Sequence, residues 1–310
     1  MNHFSAEFMK ALGEKPQESV LLKDYSHFRI GGRADYFFEA HTLSGFEACL
    51  ALAREMSQPF YVIGGGYNIL FDDKGFRGLI IKNSVKGINE GETFKVEVLS
   101  GTTLEEMLQF CREKELEGFE FLAGIPGTVG GGLYSNAGAF DQGIGDLLEE
   151  ALVIQPDGKK ETVGRDFFDF RYRHSLLGEK RSLLLKAVFF LKPGNVEEIE
   201  ARIRDNLKSR RDKHPSSSIA CAGSYFKNPV LPTGKKVPAA ALLDEVGAKR
   251  MRSGGAAVYS GHANFIINSN NATSEDVRRL AFRMKKKVKA KFGIVLREEV
   301  IFVPEVLPEP

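Results

Sequence analysis

The run Gly124-Ile125-Pro126-Gly127-Thr128-Val129-Gly130-Gly131-Gly132-Leu133-Tyr134-Ser135-Asn136-Ala137-Gly138 holds six glycines in fifteen residues and almost no side chain able to do chemistry. Glycine loses the most backbone freedom on folding, so such a run is costly unless the main chain must come very close to something. Anionic phosphate against main-chain N–H groups is the usual something, and Thr128 can add a hydroxyl. A mobile loop is the plain alternative. Ile125, Val129 and Leu133 recur every four residues, and that spacing favours a packed turn of helix.

A second candidate cradle lies upstream. The apolar strand Phe60-Tyr61-Val62-Ile63 runs straight into Gly64-Gly65-Gly66-Tyr67-Asn68-Ile69-Leu70. This is not a dinucleotide fingerprint of the Rossmann kind. No third glycine follows at the required offset and no clear helix opens there. A tight turn is an equally good reading of the motif alone.

Around these runs the pattern is mixed helix and strand. Tyr36 to Ala40 reads as a strand after the turn Gly31-Gly32. The stretch 42–56 reads as a helix with Leu43, Phe46, Leu50 and Ala53 on one face. Further strands are expected at 79–81, 94–99, 149–154 and 182–191. A helix is expected over 104–114, with Leu104, Met107, Leu108 and Cys111 facing inwards. Asn195 with Glu198 opens another, and the pattern changes there. Ala239 to Val246 reads as a short helix closed by Gly247. Thr273 caps a long one that ends at Gly293, with Val277, Leu280, Met284 and Val288 buried. Strands at 265–268 and 298–303 complete the set.

Composition narrows the function. The chain has 310 residues, 43 basic and 41 acidic, for a net charge of +2. That balance gives no pull towards nucleic acid or a membrane surface. Mean hydropathy is −0.20, and no apolar run approaches the ~20 residues of a membrane span. Residues 1–10 have no apolar core of a signal peptide. The three cysteines, Cys49, Cys111 and Cys221, have neither metal spacing nor a disulfide framework, which fits a reducing compartment. No metal site is expected. The lysines at 285–287, 289 and 291 read as a solvated face that complements a helix dipole.

Taken together the motifs resemble one family. In order they are Phe28-Arg29-Ile30-Gly31-Gly32, Gly64-Gly65-Gly66 with Asn68 and Leu70, Gly124 to Gly131, Asn136-Ala137-Gly138, Tyr172-Arg173 with Ser175, Gly223-Ser224 with Phe226-Lys227-Asn228-Pro229, His262-Ala263-Asn264-Phe265 and Glu299-Val300. The set looks like the UDP-N-acetylenolpyruvoylglucosamine reductase (UDP-N-acetylmuramate dehydrogenase, MurB) family. The resemblance implies an α+β chain with the p-cresol methylhydroxylase type of FAD fold. It would have FAD-binding subdomains at 1–82 and 83–194, a substrate-binding domain at 195–297, and a C-terminal strand and tail at 298–310. It implies noncovalent FAD, NADPH as hydride donor and UDP-N-acetylglucosamine enolpyruvate as substrate. It also implies a cytoplasmic monomer in peptidoglycan precursor synthesis, and so in cell shape and division.

By position in the motifs, the resemblance assigns Arg173 to the substrate carboxylate and developing charge, Ser224 to proton donation, and Glu299 to assistance at the enolate. It assigns cofactor contacts to Gly64, Gly65, Gly66, Tyr67, Asn68, Ile69, Gly124, Pro126, Gly127, Thr128, Gly130, Gly131, Asn136, Ala137 and Gly138. Substrate contacts fall to Tyr172, Lys227 and Asn228. The chemistry is compatible: two glycine cradles suit a pyrophosphate, and an enolate needs a nearby cation and then a proton. The chain departs from the family at Tyr67, where serine is usual, at Gly132 and Ser135, and over Ser216 to Ala222. The short interval from Arg173 to Ser224 matches the subfamily without a tyrosine lid loop. Rival readings are another FAD-dependent oxidoreductase of the same fold, acting on an alcohol or hydroxy acid, and a nucleotide-sugar or phosphate-binding module without flavin.

Overall fold

A computed structural model describes residues 3–307. The helices are α1 (His3–Leu12), α2 (Leu43–Glu55), α3 (Leu104–Glu113), α4 (Val129–Ser135), α5 (Val196–Lys213), α6 (Ala239–Glu245) and α7 (Ser274–Phe292). The chain divides into two compact units. One comprises Met1–Pro16, Phe38–Gly65 and Ile80–Arg210; the other comprises Gln17–Phe37, Gly66–Leu79 and Arg211–Pro310.

The first unit is built on a five-stranded antiparallel sheet. Its order is Lys160–Gly164, Leu148–Ile154, Leu183–Phe190, Lys95–Leu99, Ile88–Glu90. Val96 and Val98 alternate with more exposed neighbours, as a half-buried strand requires, and Ala187 pairs with Val98. One core collects Val96, Val98, Ala151, Val153, Ala187 and Phe189 from the sheet with Leu104, Met107, Cys111, Val129 and Leu133 from α3 and α4. The capping box that starts α3 is reciprocal. Glu106 N donates to Thr103 Oγ1 at 3.1 Å, and Thr103 N donates to Glu106 Oε2 at 2.8 Å. At α4 the four-residue spacing is realised: Val129 and Leu133 are both fully buried.

In the second unit, Ile69–Phe71 lies parallel to Ile301–Val303, and Ala256–Val258 sits between Arg252–Ser253 and Ile266–Asn268. Helix α7 packs Val277, Leu280, Ala281, Met284 and Val288 into a core shared with Phe28, Leu70, Phe226 and Leu243. It starts at a Thr273–Asp276 capping box and ends at Gly293, whose φ of 71° is left-handed. Two of its lysines form exposed ion pairs, Lys285 with Glu298 and Lys291 with Glu245. The last strand begins later than its sequence pattern predicts. Glu298 and Glu299 pair instead with Phe226 and Tyr225.

Asn264, buried at 3% exposure, holds that ladder. Its Nδ2 donates to Phe226 O at 2.9 Å and its Oδ1 accepts from Phe226 N at 3.0 Å. Its own carbonyl accepts from Tyr225 N at 2.8 Å. Asn264→Ala should leave the Phe226 N–H and C=O without partners, at roughly 1–3 kcal/mol each. Urea unfolding should show that loss. A change below ~0.5 kcal/mol would show that water replaces the amide.

Candidate functional site

In the first unit, strand Phe60–Ile63 ends at Gly64, and a Cβ built on Gly64 would lie 2.5 Å from Thr128 Oγ1. The two glycine runs, far apart in sequence, therefore touch. Thr128 caps α4 by accepting from Gly131 N at 3.2 Å. The start of α4 is also sewn to α3. Leu104 N donates to Gly127 O, Val129 N to Thr102 O and Gly130 N to Ser100 O. The donors of Gly130 and Gly131 are thus used inside the protein. Among the described residues, those of Gly127 and Thr128 take no acceptor. Gly127 has φ of 138°, and a Cβ there would meet nothing within 4 Å, so its outer side is open. Gly131 is open as well, meeting only its own cap hydroxyl at 3.5 Å. An open, glycine-lined surface with two uncommitted N–H groups and a threonine fits the pyrophosphate of FAD.

The far end of α4 carries the arginine motif. Asn136 ends the helix with φ of 47°. Its Nδ2 donates to Arg171 O at 3.0 Å, and its Oδ1 accepts from Gly145 N at 3.1 Å. Ser175 Oγ donates to Tyr134 O at 2.9 Å. These bonds hold the tight Arg171–His174 turn, with Arg173 at its tip in the left-handed region at φ of 52°. A non-glycine residue there is held against its preference, a frequent feature of functional positions. Tyr172 is exposed, with the Arg173 guanidinium 5.8 Å from its ring. Pro126, Ala137 and Gly138 complete the run. A Cβ on Gly138 would fall 2.0 Å from Gln142 O, so that glycine is required by packing.

The sequence reading missed Arg210, at the end of the first unit. Burial first, and then the positive charge of Arg173, lower its pKa. Its Nε is buried without a hydrogen-bond partner. Its side chain packs on Gly124, whose Cβ would lie 3.0 Å from Arg210 Cδ. Among the described residues no carboxylate pairs with it. A half-buried arginine without a carboxylate, close to a second arginine, suits an anion. The stretch Lys208-Ser209-Arg210-Arg211 reads from sequence as a helix end, and no local signal separates Arg210 from its neighbours.

The second unit gathers the other candidates. Gly223, with φ of 75°, turns the chain into Ser224. Asn264 fixes the next two residues. Ser224 is half-buried, and its hydroxyl takes no partner within the described residues. Glu299 N donates to Tyr225 O at 2.8 Å, so Glu299 pairs with the residue that follows Ser224. Asn68 Nδ2 donates to Glu299 O at 3.1 Å, and Ile301 N donates to Asn68 O. Asn68 thus secures the catalytic candidate Glu299, and Ile69 is buried in the strand that pairs with Ile301. A Cβ on Gly66 would lie 2.1 Å from Tyr25 O. Lys227 N donates to Arg297 O, and Asn228 Oδ1 accepts from Ala239 N at 2.9 Å to start α6. The exposed Tyr67 lies against His27, their rings 5.3 Å apart. His262, whose pKa burial lowers, packs edge-on against Phe265.

Comparison with known proteins agrees with this arrangement. Residues 34–164 match an FAD binding domain, and residues 214–303 match the C-terminal domain of UDP-N-acetylenolpyruvoylglucosamine reductase. A protein of that name from Clostridium botulinum is 36% identical over 291 residues, covering 93% of each chain. One from Geobacter metallireducens is 40% identical over 286 residues, covering 91% of each. The crystal structure of UDP-N-acetylenolpyruvylglucosamine reductase (MurB) from Thermus caldophilus superposes with a TM-score of 0.76. Its identity is 30%, and the match covers 94% of this chain and 99% of that one. On these matches, this chain belongs to the UDP-N-acetylenolpyruvoylglucosamine reductase family.

Proposed function

We propose that this enzyme reduces UDP-N-acetylglucosamine enolpyruvate to UDP-N-acetylmuramate with NADPH and noncovalently bound FAD, in peptidoglycan precursor synthesis. The observation that carries the reading is the Arg173–Arg210 pair, two cations without a carboxylate partner for Arg210. The substrate offers the missing anion in its enolpyruvyl carboxylate. The family match does not favour the rival reading as an alcohol or hydroxy-acid oxidoreductase.

When bound, FAD supplies hydride transfer from NADPH to the vinyl carbon. Gly127, Thr128 and the open face of Gly131 would hold its pyrophosphate. Arg173 and Arg210 hold the substrate carboxylate and stabilise the negative charge that develops beside it. Ser224 gives a proton to the neighbouring carbon, and Glu299 assists at the enolate. Serine is a weak acid in water, so its role depends on placement within about 3 Å of the carbon. The clamp from Asn264 supports that placement. Tyr172, Lys227 and Asn228 hold the UDP-sugar. The protein works as a cytoplasmic monomer, with FAD-binding subdomains at 1–82 and 83–194, a substrate domain at 195–297 and the tail 298–310. Its product feeds wall growth, and through it cell shape and division.

Ser224→Ala removes one hydroxyl that bonds to nothing in the described protein, so folding should be unaffected. NADPH should still bleach the flavin at the wild-type rate. Reoxidation by the enolpyruvyl substrate should slow by a factor on the order of 10²–10⁴ in stopped-flow absorbance. Equal slowing of both phases, or of neither, would exclude Ser224 as proton donor.

Arg210→Leu removes an uncompensated, half-buried charge. Thermal stability should hold or rise, while kcat/KM for the enolpyruvyl substrate falls by a factor on the order of 10²–10³. A lower melting temperature with intact kcat/KM would make the residue structural.

At Gly131 an added Cβ would meet only Thr128 Oγ1, at 3.5 Å, so Gly131→Val points its side chain to the open side. The apoprotein should keep its circular dichroism and lose flavin affinity. Full flavin content after purification would show that the cofactor lies elsewhere.

A further inference from the structure

His27 lies in the second unit, just after the helical turn Leu22–Tyr25. Its main-chain N–H donates to Gly66 O at 3.0 Å. Its ring Nδ1 stands 2.8 Å from Cys221 O, and its Nε2 stands 3.0 Å from Ser217 O. A carbonyl oxygen accepts and never donates. Both contacts are hydrogen bonds only when both ring nitrogens carry protons, and a neutral imidazole carries one. In the neutral ring, one nitrogen lone pair would face a carbonyl lone pair. The arrangement is that of an imidazolium.

Among the described residues, the titratable groups that act on it are Tyr67, from the turn after the three glycines, and Cys221. No carboxylate forms an ion pair with the ring among the described residues. The Cys221 side chain contributes most to a pKa raised to about 9, burial opposes it, and the two carbonyls add to it. An ordinary histidine titrates near 6.5.

The two carbonyls belong to the run that leads through Gly223 into Ser224. That run and Tyr67 meet on this one ring.

We propose that His27 is a positioning residue for the reduction step: as a cation it ties the Ser217 and Cys221 carbonyls to the Gly66 turn and so sets the approach of Ser224 to the substrate. The proposal rests on Ser224 being the proton donor. Because the folded protein holds the His27 proton more tightly than an unfolded chain does, the tie stabilises fully below about pH 6.5. It is lost as pH rises through about 9. Above that, the segment is released and substrate reduction slows.

Nitrogen-15 NMR of the holoenzyme, assigned with His27→Gln, reads the ring directly. Near pH 8 both nitrogens should be protonated, with a midpoint of about 9. A singly protonated ring at that pH overturns the proposal, whatever Ser224 does. Wild-type kcat should fall through the same midpoint. His27→Lys, whose ammonium has an ordinary pKa of about 10.4, should move that alkaline limb upward. His27→Gln should lack the limb and be slower near pH 7 by a factor on the order of 10–100, the cost of a misplaced group. A limb unmoved in both variants would also overturn the proposal. Failure of the serine assignment looks different: Ser224→Ala would then reduce substrate at the wild-type rate while the His27 ring remains doubly protonated.

Discussion

The hydroxyl of Thr128 is the contact on which the first unit's ligand surface depends. It caps α4, and it fills the space that a side chain at Gly64 would need. A run of glycines pays a large entropic cost on ordering. Here the cost is offset by a set of short-range bonds: the Thr128 cap, the bonds of Val129 and Gly130 to Thr102 and Ser100, and the burial of Val129 and Leu133. The glycines are therefore ordered by their neighbours before any ligand arrives. What remains for a ligand is the open side of Gly127 and Gly131.

In the second unit the equivalent constraint is the Asn264 amide. Its donor and acceptor answer both main-chain groups of Phe226, and its carbonyl answers Tyr225. Buried main-chain groups need partners, so one asparagine settles the register of the strand that follows Ser224. Glu299 joins the same ladder through Tyr225, and Asn68 secures Glu299 in turn. Two candidate catalytic residues remote in sequence are spaced by peptide geometry, which is stiffer than any side-chain contact.

Charge is arranged differently in the two units. Arg210 lies near Arg173 with no carboxylate of its own, a cost in stability that an anionic substrate can relieve. His27 is a cation compensated by carbonyl dipoles and the Cys221 side chain. One positive charge awaits a ligand, and the other holds a loop. Surface pairs such as Lys291–Glu245 are exposed and contribute little.

Much of the secondary structure was legible in the sequence by itself. The helices expected over 104–114 and from the Thr273 cap to Gly293 follow from apolar spacing and end signals, and the structure adds the capping boxes Thr103–Glu106 and Thr273–Asp276. The ordered glycine, Arg-Ser and Gly-Ser motifs determined the family. Those signals are local: a cap or a periodic stripe is decided by residues within a turn or two. The last strand starts later than its apolar pattern, because Glu298 and Glu299 find partners at Phe226 and Tyr225 instead. Only the tertiary structure decided that Gly64 touches Thr128, that the N–H of Gly130 turns inward to Ser100, and that Arg210 lies near Arg173. It also brought the Cys221 and Ser217 carbonyls to the two ring nitrogens of His27. Each of these depends on a partner brought close by folding rather than by sequence, and a hydrogen bond or a charge interaction is set by distance through space.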